Sequence, residues 1–208
     1  MGSQTRPKRK SNRLKEYDYS QSGAYFVTIC TKDSDDLFGE IQNGTMIENE
    51  KGAIVHCCWE DLPRHYTNVA LDVFVVMPNH VHGIIMILNN DDAVVGARHA
   101  SPLRGKRNNL GNIVGSFKSP TTAQNNRQRK THGTTIWQRG YYDHIIRSEK
   151  SLNRIREYID TNPQRWQYDK ENQEQIRSDT FDRWLESEGK KSYRPEKGRA
   201  AEVSITKR

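Results

Sequence analysis

The chain has 208 residues, with 33 Lys+Arg against 26 Asp+Glu and a formal net charge of +7. At about 100–200 residues per domain this is one main domain with a tail, and with 33% hydrophobic residues the core it can build is modest. The longest clean apolar runs, such as Ile84–Leu88, fall far short of the ~20 residues a membrane span needs, and no apolar stretch follows the basic N-terminus as a secretory signal would require.

In chain order, residues 1–16 form a basic arm without apolar periodicity. Tyr25–Thr31 is rich in β-branched and aromatic residues and reads as a strand. Leu37–Met46 is a short hairpin partner broken at Asn43-Gly44. Glu50–Arg64 has the spacing of an amphipathic helix. Leu71–Met77 and His80–Leu88 are two strands joined by a tight turn at Pro78-Asn79. Residues 89–108 are a long basic loop, Leu110–Thr122 a helix, and 123–134 a basic linker. Ile136–Gln138 with Tyr141-Tyr142 supplies an edge strand. Ser148 can N-cap a helix that Pro163 ends near Asn162. One more helix is expected within 167–186, and 187–208 reads as disordered. The order predicts an α+β domain over 17–166, a ferredoxin-like (split βαβ) antiparallel sheet with helices packed on one face, followed by a polar C-terminal segment, 167–208.

Charge is segregated along the chain. From Ala93 to Tyr142 stand Arg98, Arg104, Lys106, Arg107, Lys118, Arg127, Arg129, Lys130 and Arg139, with no Asp or Glu. Residues 1–16 add Arg6, Lys8, Arg9, Lys10, Arg13 and Lys15 against Glu16 alone. Such a field favours a polyanion as partner, with nucleic acid the first candidate. The 3 cysteines are odd in number, two of them adjacent, so no disulfide framework is readable and a reducing cytoplasm fits best. His56-Cys57-Cys58 has no second ligand pair to complete a metal site; Val55, Cys58, Trp59 and Leu62 fall at helical spacing, which makes Cys58 a core residue.

Two motifs carry chemistry. In Met77-Pro78-Asn79-His80-Val81-His82-Gly83, alternation puts His80 and His82 on one face of a strand, about 6.6 Å apart along it. Two imidazoles at that spacing can converge on one divalent metal, and Ile84, Met86 and Leu88 continue the same face as apolar residues. In Tyr158-Ile159-Asp160-Thr161-Asn162-Pro163, a phenol and an amide lie one helical turn apart, flanking a stripe of Leu152, Ile155 and Ile159. Read singly, the histidines fit the wet side of a half-buried strand, Tyr158 a core-edge aromatic and Asn162 a helix end.

Together with Gly23-Ala24-Tyr25-Phe26-Val27-Thr28 and the run Trp137 to Arg147, these motifs occur in an order that resembles the REP-associated tyrosine transposases, a branch of the single-tyrosine HUH transposases that act on single-stranded DNA. The resemblance covers roughly residues 17–166. It implies a divalent metal, Mg²⁺ or Mn²⁺, held by His80, His82 and Asn162, with Tyr158 as nucleophile. Tyr141 and Tyr142 compete for that role but have no Asn four residues on. Attack would leave a 5′-phosphotyrosine and a free 3′-OH, retaining bond energy without a nucleotide cofactor, and the chain has no GxxxxGK[ST] loop. Arg104, Lys118, Arg139, Arg147 and His144 are the DNA-contact choices; Tyr25 and Trp137 read as core aromatics before stacking platforms. The implied partner is single-stranded or hairpin DNA in the bacterial cytoplasm, on the nucleoid, for a protein that is a monomer or a homodimer. Two other readings stay open: a domesticated, non-catalytic DNA-hairpin-binding protein, and a metal-dependent phosphodiesterase that uses water and leaves Tyr158 structural.

Overall fold

The computed structural model describes residues 17–89, 109–131, 133–177 and 179–190. The basic arm, Arg104 with most of its loop, and the last residues of the chain lie outside the described residues. The elements are β1 (Gly23–Cys30), β2 (Gly39–Gln42), β3 (Thr45–Glu48), α1 (Glu50–Glu60), α2 (Leu62–His65), β4 (Val69–Val76), β5 (His80–Ile87), α3 (Leu110–Gln128), β6 (Tyr142–Ile146), α4 (Glu149–Thr161) and α5 (Thr180–Lys190), with a 3-10 turn over Pro163–Tyr168.

Four strands form one sheet in the order β4-β5-β1-β6, every neighbouring pair antiparallel. The connections β1–α1–α2–β4 and β5–α3–β6 each step over one strand, so the chain holds two interlocked split βαβ units, as the element order predicts. Alternation along the two central strands sorts their residues. Tyr25, Val27, Ile29, Val81 and Ile85 join the core under α1 and α3, with Val55, Trp59, Val114 and Phe117. Ala24, Phe26, Ile84 and Met86 point the other way and pack against Leu152, Ile155 and Ile159 of α4 and Phe181 and Leu185 of α5. The expectation of helices on one face therefore holds for the crossover helices, while α4 and α5 cover the opposite face. The apolar residues of that face, and of α4 itself, require such a cover.

Element ends differ from the sequence expectations for identifiable reasons. The helix read over 50–64 breaks at Asp61, because Pro63 lacks an N–H and its ring would strike the carbonyl four residues back. Helix α3 continues past Thr122 to Gln128 although Pro120 lies inside it. Its core face changes from apolar to polar there: Thr121 and Asn125 are fully buried. The Thr121 and Thr122 hydroxyls donate to the carbonyls of Phe117 and Lys118, and Asn125 Nδ2 donates to Thr121 O. Hydrophobic periodicity cannot reveal a core stripe made of threonine and asparagine. The edge strand lies at Tyr142–Ile146, and the Ile136–Gln138 run meets the sheet in an isolated bridge, Trp137 opposite Thr31, where Gln138 N donates to Cys30 O and Lys32 N to Ile136 O. Helix α5 starts at Thr180 and extends to Lys190, later than expected at both ends.

Between Leu71 and Phe74 the β4–β5 register slips. Asp72 Oδ1 accepts from Val73 N there, and both Asp72 oxygens accept from Arg156 on α4, at 2.9 and 2.6 Å. This fork clamps α4 to the edge strand. Gly83 sets the other contact that matters for the histidines: a Cβ there would lie 2.3 Å from Trp59 Cζ2. Gly83→Ala should lower stability by about 1–3 kcal/mol through overpacking, read as a drop in the urea midpoint at unchanged slope; an unchanged midpoint would show that Trp59 does not set the position of β5.

Candidate active site

The antiparallel pairing of β1 with β5 places Thr28 opposite His82 and Cys30 opposite His80. Both imidazoles are buried on the α4 face of the sheet, with ring centroids 4.3 Å apart. Each is fixed through Nδ1: His80 to Asn79 Oδ1 at 2.9 Å, and His82 to Thr28 Oγ1 at 3.0 Å. Asn79 is itself oriented, since its Nδ2 donates to the Ser34 and Glu171 carbonyls. Its Oδ1 can only accept, so His80 carries its proton on Nδ1 and presents a lone pair at Nε2. Burial, with His82 alongside, pushes the His80 pKa down to about 3, which keeps the ring neutral.

Helix α4 brings the second motif to the same place. Ser148 caps its N-terminus by accepting from Ser151 N, and the buried Leu152, Ile155 and Ile159 dock it on the sheet. Tyr158 is 2% exposed, and its hydroxyl lies 3.3 Å from His82 Nε2. Asn162, at the C-terminal cap, is buried beside it. The four residues His80, His82, Tyr158 and Asn162, drawn from two distant motifs, are thus neighbours in one cluster.

The cluster is centred on a residue the sequence reading missed. Asp169 follows the 3-10 turn, is fully buried, and its Oδ2 accepts from Tyr158 Oη at 3.0 Å and from Asn162 Nδ2 at 2.7 Å. The same oxygen stands 3.5 Å from His82 Nε2 and 3.9 Å from His80 Nε2. Asp169 sits in a stretch expected to be part of a helix, and only the turn that follows Pro163 sends it back to the histidines. Burial pushes its carboxyl pKa up, but the histidines and the Asn162 amide outweigh that and hold it well below the usual carboxylate range. Tyr158 is shifted the other way, well above its ordinary value of 10.0, by burial and by the Asp169 charge. The Phe181 ring lies on the Tyr158 ring at 3.7 Å and 6°.

His80, His82 and Asp169 form a buried group able to hold a metal ion, their ligand atoms lying within 4.8 Å of one another. The donor set fits a cation on two further grounds. Among the described residues, His80 Nε2 and Asn162 Oδ1 are both buried without a hydrogen-bond partner. The His80 lone pair also faces a carboxylate oxygen, an arrangement of two acceptors that a cation between them would relieve. The sequence-predicted DNA contacts are elsewhere. Lys118 and Arg139 line a groove beside α3. His144 is 6% exposed on the sheet opposite Phe26, and burial, with Arg147 nearby, pushes its pKa down to about 4. Arg147 is exposed just beyond β6.

Titration calorimetry with Mn²⁺ tests the donor set. His80→Ala and Asp169→Asn should each weaken binding by at least about tenfold, with circular dichroism unchanged; an Asp169→Asn protein that binds as tightly as the unaltered one would remove the carboxylate from the site.

No family model matches the chain. A Haemophilus influenzae protein described as uncharacterized is 41% identical over 169 residues, spanning 77% of this chain and 91% of that protein. A second Haemophilus influenzae protein, provisionally named a REP-associated tyrosine transposase, is 24% identical over 154 residues, 70% of this chain and 73% of its own length. Among solved structures, that of a REP-associated tyrosine transposase bound to a REP hairpin aligns over 74% of both chains, at 17% identity and a TM-score of 0.48. A provisionally assigned transposase from Deinococcus radiodurans aligns over 71% of this chain and 95% of its own, at 16% identity and a TM-score of 0.38. The chain is thus similar over most of its length to an uncharacterized protein, and more distantly to one provisionally named a REP-associated tyrosine transposase.

Proposed function

We propose that this protein is a metal-dependent single-stranded DNA transposase or endonuclease, cutting and rejoining DNA near hairpins through a 5′-phosphotyrosine. The observation that carries the reading is the hydroxyl of Tyr158 within hydrogen-bond reach of both His82 and Asp169, inside a group able to hold a metal. His80, His82, Asn162 and Asp169 would hold a divalent cation. When bound, that cation supplies Lewis acidity toward a phosphate and a counter-charge to Asp169.

Tyr158 is a weak nucleophile as it stands, because its proton is held more tightly than in a free phenol. Asp169 Oδ2 accepts the hydrogen bond of that proton and orients the phenol; held well below the usual carboxylate range it is too weak a base to keep the proton, which passes to solvent. The Tyr158 oxygen then bonds to phosphorus, and the bond from phosphorus to the 3′ oxygen breaks. The electron pair departs with that oxygen, which takes a proton from solvent to become a free 3′-OH. A second 3′-OH attacking the same phosphorus reverses the step and joins a new strand. In this reading residues 17–166 are the catalytic unit, and the segment after them contributes Asp169.

One observation favours a second reading, hairpin binding without chemistry: Tyr158 is closed off beneath Phe181. Denaturing electrophoresis with hairpin DNA labelled on the 3′ side of the cut and Mn²⁺ present decides between them. The unaltered chain and Tyr142→Phe should each form a covalent adduct, and Tyr158→Phe, which keeps the ring and its packing, should form none while retaining DNA affinity within about threefold. An adduct persisting in Tyr158→Phe would sink the nucleophile assignment. Bound DNA without any adduct in the unaltered chain would favour the non-catalytic reading, and cleavage without an adduct would favour water as nucleophile.

A further inference from the structure

The sheet face opposite the histidines carries a feature that the chemistry above does not use. An open groove of about 1010 Å³ runs between α3 and the wall formed by Lys32 and residues 135–139. A second depression of about 530 Å³ shares Ala123 with it and continues past Asn126, Arg127 and Lys130. From Gly115 to Arg127 the helix rises about 18 Å, so together they make a channel along α3. Its lining holds the cations Lys32, Lys118, Arg127, Lys130 and Arg139 against one carboxylate, Asp33, which stands 3.8 Å from Lys32 Nζ. Lys118 Nζ donates to the carbonyls of Gln138 and Gly140, tying the far wall to the helix and leaving one of its three N–H groups for the groove.

Gly115 is the sharpest indication that something lies in this channel. It sits inside a helix, where glycine is the least favourable residue after proline. Among the described residues an added Cβ there would meet nothing within 4 Å, so none of them accounts for the missing side chain. That open space leaves room for the backbone of a ligand to pass close over the helix.

The cations stand on both walls of one cleft, which suits a single strand. Among the described residues the groove has no exposed aromatic ring to stack a base on. Trp137 lines it but is 3% exposed, its Nε1 donating to Thr121 Oγ1. Phosphate contacts without base contacts position a strand and carry no sequence information. The groove opens at the sheet end that holds the histidines: Lys32 N donates to Ile136 O, while Thr31 N donates to the carbonyl of Asn79, the neighbour of His80.

Building on the functional reading above, we propose that the α3 groove holds the sugar–phosphate backbone of a single-stranded DNA flank, without base readout, and leads it to the sheet end at which His80 lies. The test uses the full chain and two fluorescent DNAs, a blunt hairpin and the same hairpin with a single-stranded flank of about ten nucleotides. Gly115→Gln should weaken binding of the flanked hairpin by about tenfold, with a melting temperature equal to or above that of the unaltered chain, because glutamine is the better helix former. Arg139→Gln should weaken it too and reduce the slope of log affinity against log salt by about 0.7, one single-strand phosphate contact. Both variants should bind the blunt hairpin within about twofold of the unaltered chain. Unchanged affinity for the flanked hairpin in both variants overturns the proposal, as does an equal loss on both DNAs, which would assign the groove to duplex. If the unaltered chain gains nothing from the flank but still forms its Tyr158 adduct, the groove proposal falls and the functional reading stands. If it neither binds DNA nor forms an adduct, both fall.

Discussion

The Asp169 carboxylate is the constraint around which the α4 face is organised. A buried ionised carboxylate is costly unless paired and hydrogen-bonded. Here the Tyr158 phenol, the Asn162 amide and the two imidazoles supply the compensation around one oxygen. The other oxygen accepts from Glu171 N, which fixes the turn that delivers the carboxylate. Three separate parts of the chain are therefore held in mutual register by one charge: strand β5, the last turn of α4, and the loop after the 3-10 turn. Burial and the Asp169 charge raise the Tyr158 pKa, while the two imidazoles and the Asn162 amide hold that of Asp169 down against its own burial.

This arrangement depends on a division of labour between the faces of the sheet. The α1/α3 face is conventional core, and its packing reaches the histidines through Gly83, against which Trp59 lies. The α4/α5 face begins as core at Ala24, Ile84 and Met86 and becomes polar toward His82 and His80. Strand alternation lets one β5 segment serve both purposes: Val81 anchors the first face while its neighbours on either side present their imidazoles on the second. The Asp72–Arg156 fork then secures α4 against the sheet at the other flank.

Much of this was legible in the chain. Histidines two apart in an otherwise apolar β-branched strand, and a tyrosine four before an asparagine beside a helical stripe, reveal their shared faces by period alone. The split βαβ order followed from the alternation of strands and helices. What stayed hidden has physical causes. The second half of α3 buries threonine and asparagine, whose hydroxyls and amide bond to the helix's own carbonyls, so no hydrophobic period marks it. Phe181 and Leu185 pack on the far side of the sheet from the crossover helices, which composition alone cannot announce.

The sequence by itself determined which side chains share a face, because a strand repeats every two residues and a helix every 3.6 regardless of context. It determined the pairing of His80 with His82 and of Tyr158 with Asn162, and the concentration of positive charge between residues 93 and 142. Only the tertiary structure decided that these two pairs meet, and that Asp169 stands between them. Its place is set by the turn after Pro163 and by the need of a buried charge for partners on other elements, and neither has a local signature.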